Sequence, residues 1–323
     1  MRHLHVYAVV LLVAFALVYA RVVNAYWIHV AIVSMIYGIL AASWALLAGY
    51  VGQFSFAHMA FASLGGYTSA LLVQWYSVAV PLGMAAGLVL SALFGSLIGW
   101  VCLRMRGPYL AIFTLAFSEI VRIVLLSEHQ VTSGPAGLRV APLLQTPSRV
   151  PYYYVALGLL ALCLTVMGLV VHSRWGLFFR AVREDEEAAG ASGVNVVRAK
   201  ILAFAVASGF AGLAGAFYAH YIGILTPELG SSDQMGLVVA MAVIGGLERL
   251  PAAVGGAIGV ETLQEVLRSY GPWRFVLFGA LLLLTMRFFR NGLLAPAWQR
   301  LLEARPVGSV LTSSREVRKG HRA

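Results

Sequence analysis

The chain has 323 residues, of which 60% are hydrophobic and 11% are charged, and its mean hydropathy is +0.84. Soluble domains contain about 25% charged residues, so this composition excludes a soluble protein and indicates a polytopic membrane protein. The net charge of +10 does not indicate nucleic-acid binding, because the basic residues lie in loops, as the positive-inside bias of membrane proteins predicts.

Ten apolar segments predict membrane-spanning helices, since about 20 apolar residues cross a bilayer. The predicted fold class is all-α: one membrane domain over residues 1–323, with its core at 26–290 and about ten spans, within a range of about eight to ten. Segments eight and nine are short and rich in glycine, so a hairpin of two partial helices is an alternative to two full spans. The segments are 4–20, 26–48, 54–74, 79–103, 108–127, 151–172, 199–221, 234–248, 252–268 and 273–289.

The basic residues predict the orientation. With ten spans and the N-terminus inside, 17 of the 23 Lys and Arg residues lie in inner loops or tails, and five lie in outer loops. The positive-inside rule then places both termini in the cytoplasm. The charged segment 173–198 and the basic tail 291–323 are predicted to be cytoplasmic as well, and the longest outer loop covers about 127–150.

Polar residues begin the third predicted span, where Gln53 and Ser55 lie one turn before His58. Two interpretations stay open: the histidine is hydrogen-bonded within the helix bundle, or it lines a translocation path together with Gln53 and Ser55. Such a path needs only a few polar groups, because tight binding would trap the substrate. Gly245 and Gly246, in the segment VIGGLERLPAAVGGAIG (243–259), are further candidates for the path.

Ionisable residues inside predicted spans are candidates for function, because a charge in hydrocarbon is costly unless it is paired. Glu119 and Arg122 lie three residues apart in the fifth span. They form either a structural ion pair that joins two helices or, in a proton-driven transporter, a proton site at Glu119. Arg268 is expected to pair with Glu265 at the outer end of the ninth span, and His220 is expected at the membrane interface.

The segment 173–198 carries eight charges between long apolar stretches, including the acidic run at 184–187. It predicts an amphipathic helix over 177–189 that ends near Gly190 and Gly193, since glycine accepts the left-handed cap conformation. We expect four apolar residues on one side of that helix: Leu177, Phe178, Ala181 and Val182. Two ion pairs at four-residue spacing are expected on its surface: Arg180 with Glu184, and Arg183 with Glu187.

This segment also resembles part of a known family. Glu187-Ala188-Ala189 followed by Gly193 has the form E-A-A-x-x-x-G, which resembles the coupling loop of ABC importer permeases. The sequence from about residue 30 to 290 is similar to the permeases for branched-chain amino acids, of the LivM type. Four stretches carry the similarity: GYVGQFSFAHMAFASLGGYTSALL (49–72), RMRGPYLAIFTLAFSEIVRIVL (104–125), RAVREDEEAAGASGVNVVRAKILAF (180–204) and AGLAGAFYAHYIGILTPE (211–228).

The resemblance implies a permease subunit of an ATP-driven importer in a bacterial inner membrane, which works by alternating access. It implies four kinds of partner: the lipid bilayer, a second related permease, two cytoplasmic ATPase subunits that bind ATP and Mg, and a periplasmic binding protein that docks on outer loops such as 127–150. Residues 173–198, here named the coupling loop, are then the docking surface for an ATPase subunit. The residues implied in coupling are Arg180, Arg183, Glu184, Asp185, Glu186, Glu187, Ala188, Ala189 and Gly193.

The resemblance implies branched-chain or other apolar amino acids as substrates. Urea, short amides and aromatic acids are carried by close relatives and stay as alternatives. The outer loop departs from the family pattern, because SGPAGL (133–138) has Ala136 where relatives often have Asn.

The sequence disfavours an enzyme. The two lysines, Lys200 and Lys319, do not stand in a G-x-x-x-x-G-K-[ST] motif, so we expect this chain neither to hydrolyse ATP nor to bind a cofactor. It has no metal-ligand spacing, and Cys102 and Cys163 fall in apolar segments, where packing residues are expected. A self-sufficient secondary transporter and an integral-membrane enzyme are the rival function classes.

Overall fold

The computed structural model describes residues 19–20, 22–102, 105, 107–271, 273, 276 and 279–280. Most of the predicted first span (4–20), most of the predicted last span (273–289) and the whole basic tail (291–323) lie outside the described residues. The prediction that both termini are cytoplasmic therefore stays a prediction.

The described chain is mainly helical, as its composition predicts. The helices are α1 Ala25–Ala45, which continues as a wider turn over Leu46–Val51, α2 His58–Tyr76, α3 Val80–Val101, α4 Pro108–Ser127, α5 His129–Thr132, α6 Val150–His172, α7 Arg174–Glu184, α8 Glu186–Ala191, α9 Val196–Ile222, α10 Ser232–Gly245 and α11 Leu250–Val266. Single 3-10 turns lie at Gly134–Ala136, Pro227–Gly230 and Leu267–Tyr270. The short strands β1 (Leu138–Arg139) and β2 (Ile224–Leu225) pair antiparallel, with Leu138 opposite Leu225.

Among the described residues, five helices are long and apolar enough to cross a membrane: α1 with its final turn, α3, α4, α6 and α9. Helix α2 forms where the third span was predicted but is less apolar than these five. The architecture is therefore a polytopic bundle of membrane helices, with α1 buried in its interior and α4 and α6 largely exposed at its periphery.

Helices α10 and α11 occupy the place of the predicted spans eight and nine. They meet at 118° across a break of a few residues, as the hairpin alternative predicted. Helix α10 has 14 residues. At about 1.5 Å of rise per residue it is shorter than the roughly 30 Å hydrocarbon core. The turn between them, residues 246–249, is here named the elbow, and Gly246 there has φ +117°.

The segment before α10 runs into the bundle along α2. The Tyr67 hydroxyl donates to the Leu225 carbonyl at 3.3 Å. Five residues later, a Cβ added to Gly230 would lie 3.0 Å from Oγ of Ser63. Since Ser63 lies one turn nearer the start of α2 than Tyr67, the chain descends along α2 before α10 begins. Helix α10 thus starts beside the first half of α2, with Ser232 and Asp233 exposed.

Glycines bring the backbones of α2, α3 and α9 into direct contact. A Cβ added to Gly65 of α2 would lie 2.2 Å from the carbonyl oxygen of Gly212, and one added to Gly215 would lie 1.9 Å from that of Ala62. Only residues without a side chain allow this approach. In the same way, a Cβ added to Gly87 of α3 would lie 2.5 Å from the carbonyl oxygen of Gly65.

His220, which was expected at the membrane interface, lies in the last turn of α9 with its side chain fully buried in the protein. Its Nδ1 is 2.7 Å from the Ala141 carbonyl, which only accepts, so Nδ1 donates and Nε2 accepts from the Ser69 hydroxyl at 2.8 Å. The loop between α5 and α6 covers this end of α9, and its Val140 amide donates to the Gly223 carbonyl. His220 therefore fastens α9 to α2 and to this loop.

Candidate functional site: the coupling loop and the polar residues of the bundle

The coupling loop contains two helices, α7 and α8, where the sequence predicted one helix over 177–189. The break falls at Asp185, whose backbone is extended (φ −156°, ψ 113°). Its carboxylate accepts hydrogen bonds from the amides of Glu187 (2.9 Å) and Ala188 (3.0 Å), so Asp185 caps the start of α8. Gly190 lies within α8, and Gly193, at φ +86°, terminates the loop's helical part as predicted.

The buried face of α7 consists of Gly176, Phe179 and Val182. The predicted face was correct for Val182 but wrong for Leu177, which is exposed. The rotation of α7 is set by Gly176, because a Cβ there would lie 1.7 Å from the carbonyl oxygen of Val171 at the end of α6. The amphipathic pattern thus correctly predicted that α7 has a buried face. The close approach of Gly176 to α6 accounts for the difference between the predicted and the observed residues of that face.

A buried ion pair, here named the Lys200 anchor, fastens α8 to the start of α9. Lys200 Nζ donates to Oε1 of Glu186 at 2.8 Å. The lysine side chain is 1% exposed and the glutamate side chain 19%. Sequence analysis placed Glu186 in the docking surface and gave Lys200 no partner, because the two residues lie on different helices. The anchor and the buried Ala189 together hold α8 against the membrane bundle.

Arg183 joins the coupling loop to two other segments, in an arrangement here named the Arg183 junction. Its Nη1 donates to the Gly49 carbonyl in the final turn of α1, and its Nη2 donates to Oε1 of Glu248 in the elbow at 2.9 Å. The expected partner Glu187 lies beyond the helix break, so the four-residue spacing does not apply. Arg183 Nε is also 3.9 Å from Oε1 of the neighbouring Glu184.

The segments at the Arg183 junction pack closely. A Cβ added to Gly49 would lie 1.9 Å from the carbonyl oxygen of Leu247, so the end of α1 touches the backbone of the elbow. The side chain of Arg183 lies over Gly52, where a Cβ would be 3.3 Å from its Cγ. Gly52 has φ +74°, in the left-handed region that favours glycine.

A cleft of about 290 Å³ opens beside the junction. The guanidinium of Arg180 lies 6.0 Å from the centre of the Tyr50 ring, which is cation–π distance. Among the described residues, Arg180 does not form the predicted ion pair with Glu184. The cleft is lined by Gly49, Tyr50, Arg180, Arg183, Glu184 and Glu248.

The residues predicted for coupling therefore fall into two groups. Glu186 and Ala189 are turned toward the bundle and attach the loop, and Arg183 attaches it through the junction although its side chain is 34% exposed. The other six are exposed: Arg180, Glu184, Asp185, Glu187, Ala188 and Gly193.

The residues predicted for a translocation path lie near the same end of the bundle. Gln53, Ser55 and His58 are buried. The Ser55 carbonyl accepts from Nε1 of Trp44 at 2.7 Å. Neither ring nitrogen of His58 has a hydrogen-bond partner among the described residues, and the ring packs edge-on to Phe61 at 6.3 Å. The backbone of Ser43 approaches the ring, so both interpretations of His58 stay open.

The other two residues predicted for the path are Gly245, the last residue of α10, and Gly246, the first residue of the elbow. A Cβ added to Gly245 would be 2.2 Å from the carbonyl oxygen of Ala252, so this glycine lets α10 and α11 meet. Gly246 is the residue with positive φ at the bend. Close packing of α10 against α11 explains the glycine at 245, and the positive φ at the bend explains the glycine at 246.

The predicted ion pair of Glu119 and Arg122 is present, with Nε of Arg122 3.0 Å from Oε1 of Glu119. Arg122 also reaches Glu228, in the turn before α10, at 3.4 Å. The pair thus joins α4 to that turn. The carboxylates of Glu119 and Glu228 are 38% and 69% exposed. Because charge facing hydrocarbon is costly, this face of α4 fits protein or water better than lipid.

Other predictions about individual side chains are confirmed. Arg268 pairs with Glu265 at 3.1 Å. Cys102 and Cys163 are both buried, as expected of packing residues.

Comparison with known proteins identifies relatives along most of the chain. A family model described as branched-chain amino acid transport system, permease component, matches residues 26–286. The high-affinity branched-chain amino acid transport system permease protein LivM of Salmonella typhimurium is 33% identical over 299 residues, covering 83% of this chain and 69% of LivM. LivM of Escherichia coli is 31% identical over 313 residues, covering 88% of this chain and 74% of LivM.

A second permease protein of such a system is more distantly similar. LivH of Salmonella typhimurium is 23% identical over 286 residues, covering 80% of this chain and 91% of LivH. No solved structure matches the chain. The region matched by the family model contains the coupling loop and helices α2 to α11. The chain therefore belongs to the family of permease components of branched-chain amino acid transport systems.

Proposed function

We propose that this chain is a membrane-spanning permease subunit of an ATP-driven importer for branched-chain amino acids, in a bacterial inner membrane. The observation that carries the proposal is the placement of the coupling loop. Its apolar face, the Lys200 anchor and the Arg183 junction attach it to the bundle, while six charged or small residues predicted for coupling are exposed. A pair of helices that is attached to the bundle and exposes a polar face can transmit the movement of a bound partner to the bundle.

The partner for this surface is a cytoplasmic ATPase subunit. The chain has no P-loop of its own, so ATP and Mg bind to that partner. The loop offers both signs of charge, with Arg180 beside the cleft and Glu184 and Glu187 at the helix break. Mixed charge fixes the orientation of a docked partner more than it adds to affinity.

A second permease subunit covers the exposed face of α4. Glu119 on that face and Glu228 in the adjoining turn before α10 carry carboxylates that do not fit lipid. The relatives support a pair, because LivM and LivH are both permease proteins of the high-affinity branched-chain amino acid transport system.

The mechanism is alternating access, in which a periplasmic binding protein delivers the substrate to outer loops such as 127–150. Gln53, Ser55 and His58, with Gly245 and Gly246, line the inner end of the path when it opens. The path is closed in this conformation, because the three polar residues are buried and the two glycines form a tight bend.

Uptake in proteoliposomes tests the proposal. The chain, reconstituted with its permease partner, two ATPases and a binding protein, should accumulate radiolabelled leucine only when ATP is inside. Unlabelled isoleucine and valine should compete, whereas urea, short amides and aromatic acids should not. Leucine uptake by this chain alone, driven by an ion gradient, would show a secondary transporter and overturn the proposal.

A further inference from the structure

The coupling loop is attached to the bundle at two points of different character. At the Lys200 anchor, both charged groups are largely shielded from water, with 1% and 19% of their side chains exposed. At the Arg183 junction, the side chains of Arg183 and Glu248 are 34% and 72% exposed. Separating a buried pair leaves an uncompensated charge, whereas water replaces the partner of an exposed one.

The two attachments also lead to different parts of the molecule. The anchor leads to α9, which is packed against α2 and α3 through glycine contacts. The junction leads to the elbow, from which α10 runs to the turn at Glu228 and Gly230 beside Arg122 and Ser63. A displacement of the elbow is therefore passed along α10 to the turn that contacts α2 and α4.

We infer that the Arg183 junction opens and closes during the transport cycle, while the Lys200 anchor stays closed. Arg183 is then a positioning residue: it holds the elbow to the coupling loop in the conformation seen here, and its release lets α10 move relative to α9. This inference rests on the proposed ATP-driven function.

Reversible cross-linking at matched positions tests it. Two double-cysteine variants are made in a background that carries Cys102→Ala and Cys163→Ala: Arg183→Cys with Glu248→Cys at the junction, and Glu186→Cys with Lys200→Cys at the anchor. The native pairs have nearly equal separations, 2.9 and 2.8 Å between the charged atoms. Each variant is reconstituted with its partner subunits and treated with a short bis-methanethiosulfonate cross-linker, and leucine uptake is measured before and after a reducing agent.

We expect the cross-link at the junction to lower ATP-driven leucine uptake by about tenfold or more, and the reducing agent to restore it, because release of the elbow is prevented. The cross-link at the anchor should leave uptake within about twofold of the same variant before cross-linking. The inference is overturned when the cross-linked junction transports normally, and also when both cross-links stop uptake equally. A complex that contains no ATPase, or that takes up leucine without ATP, contradicts the proposed function instead, whatever the cross-links do.

Discussion

Lys200 and Glu186 lie 2.8 Å apart, on opposite sides of the turn that joins the coupling loop to α9, and the lysine is almost fully shielded from water. Breaking a buried ion pair by removing one partner costs about 3–5 kcal/mol. We expect Lys200→Met to destabilise the chain by up to about this amount, because it removes the buried cation that contacts the Glu186 carboxylate. Thermal unfolding in detergent measures the change.

The control for Lys200→Met is Arg268→Met, since Arg268 pairs with Glu265 but is 65% exposed. The Glu265 side chain is 17% exposed, but water can replace its exposed cation, so this variant should lose less stability than Lys200→Met. The double variant Lys200→Met/Glu186→Gln should recover much of the lost stability, because both charges of the anchor are removed. Equal unfolding temperatures for Lys200→Met and Arg268→Met would rule out a stabilising anchor.

Gly49→Ala should disturb the Arg183 junction, because the added Cβ would lie 1.9 Å from the carbonyl oxygen of Leu247. Either the end of α1 or the elbow must move, and overpacking of this kind costs about 1–3 kcal/mol. Leucine uptake is expected to fall together with thermal stability. Gly158→Ala is the matched control, since nothing lies within 4 Å of its added Cβ; this variant should behave like the native chain.

Gly193→Pro should abolish transport without preventing membrane insertion. Gly193 has φ +86°, whereas proline requires φ near −65°, so the chain between α8 and α9 must change course. Gly193→Asn is the control, because asparagine tolerates the left-handed region. Co-purification of the ATPase and leucine uptake are measured for both variants. A proline variant that binds its ATPase and transports normally would show that Gly193 has no part in coupling.

Glu187→Arg tests the exposed part of the coupling loop directly. Glu187 stands in the first turn of α8, where a negative charge suits the helix dipole and a positive charge does not. We expect the variant to insert in the membrane but to lose the ATPase during purification, and uptake with it. Glu184→Gln, which removes an exposed charge of α7 without reversing it, is expected to retain the ATPase.

Glu119→Gln separates an ATP-driven permease from a proton-coupled transporter. Arg122 retains its contact with Glu228 in this variant, so the local structure should persist. We expect leucine uptake within about twofold of the native value and unchanged between pH 6 and 8, because no proton site has been lost. Loss of uptake with a changed pH dependence, and with ATPase binding intact, would instead assign a proton-transfer role to Glu119.

The sequence predicted features that depend on local spacing. Glu119 and Arg122 lie three residues apart on one helix, so their pairing follows from helix geometry. The left-handed conformation at Gly193 and the short hairpin of α10 and α11 were likewise visible in glycine positions. The apolar segments predicted the class of fold.

Contacts between distant segments were not predictable in the same way. The partner of Arg183 is Glu248, in a different loop, and the expected partner Glu187 was lost because the helix breaks at Asp185. The break itself had a signal, since aspartate is among the strongest residues for starting a helix. Nothing in the spacing of Glu186 and Lys200 indicated that the lysine would be buried.

The glycine contacts among α2, α3 and α9 determine which parts of this protein can move. Where backbones touch without intervening side chains, helices can neither rotate nor slide past one another without collision, because such an interior has no free space. We therefore expect these three helices to move together as one body during transport. Larger displacements are expected of α4, which is largely exposed and is tied to the turn before α10 through Arg122, and of the pair α10 and α11, whose elbow must separate from the end of α1 to move.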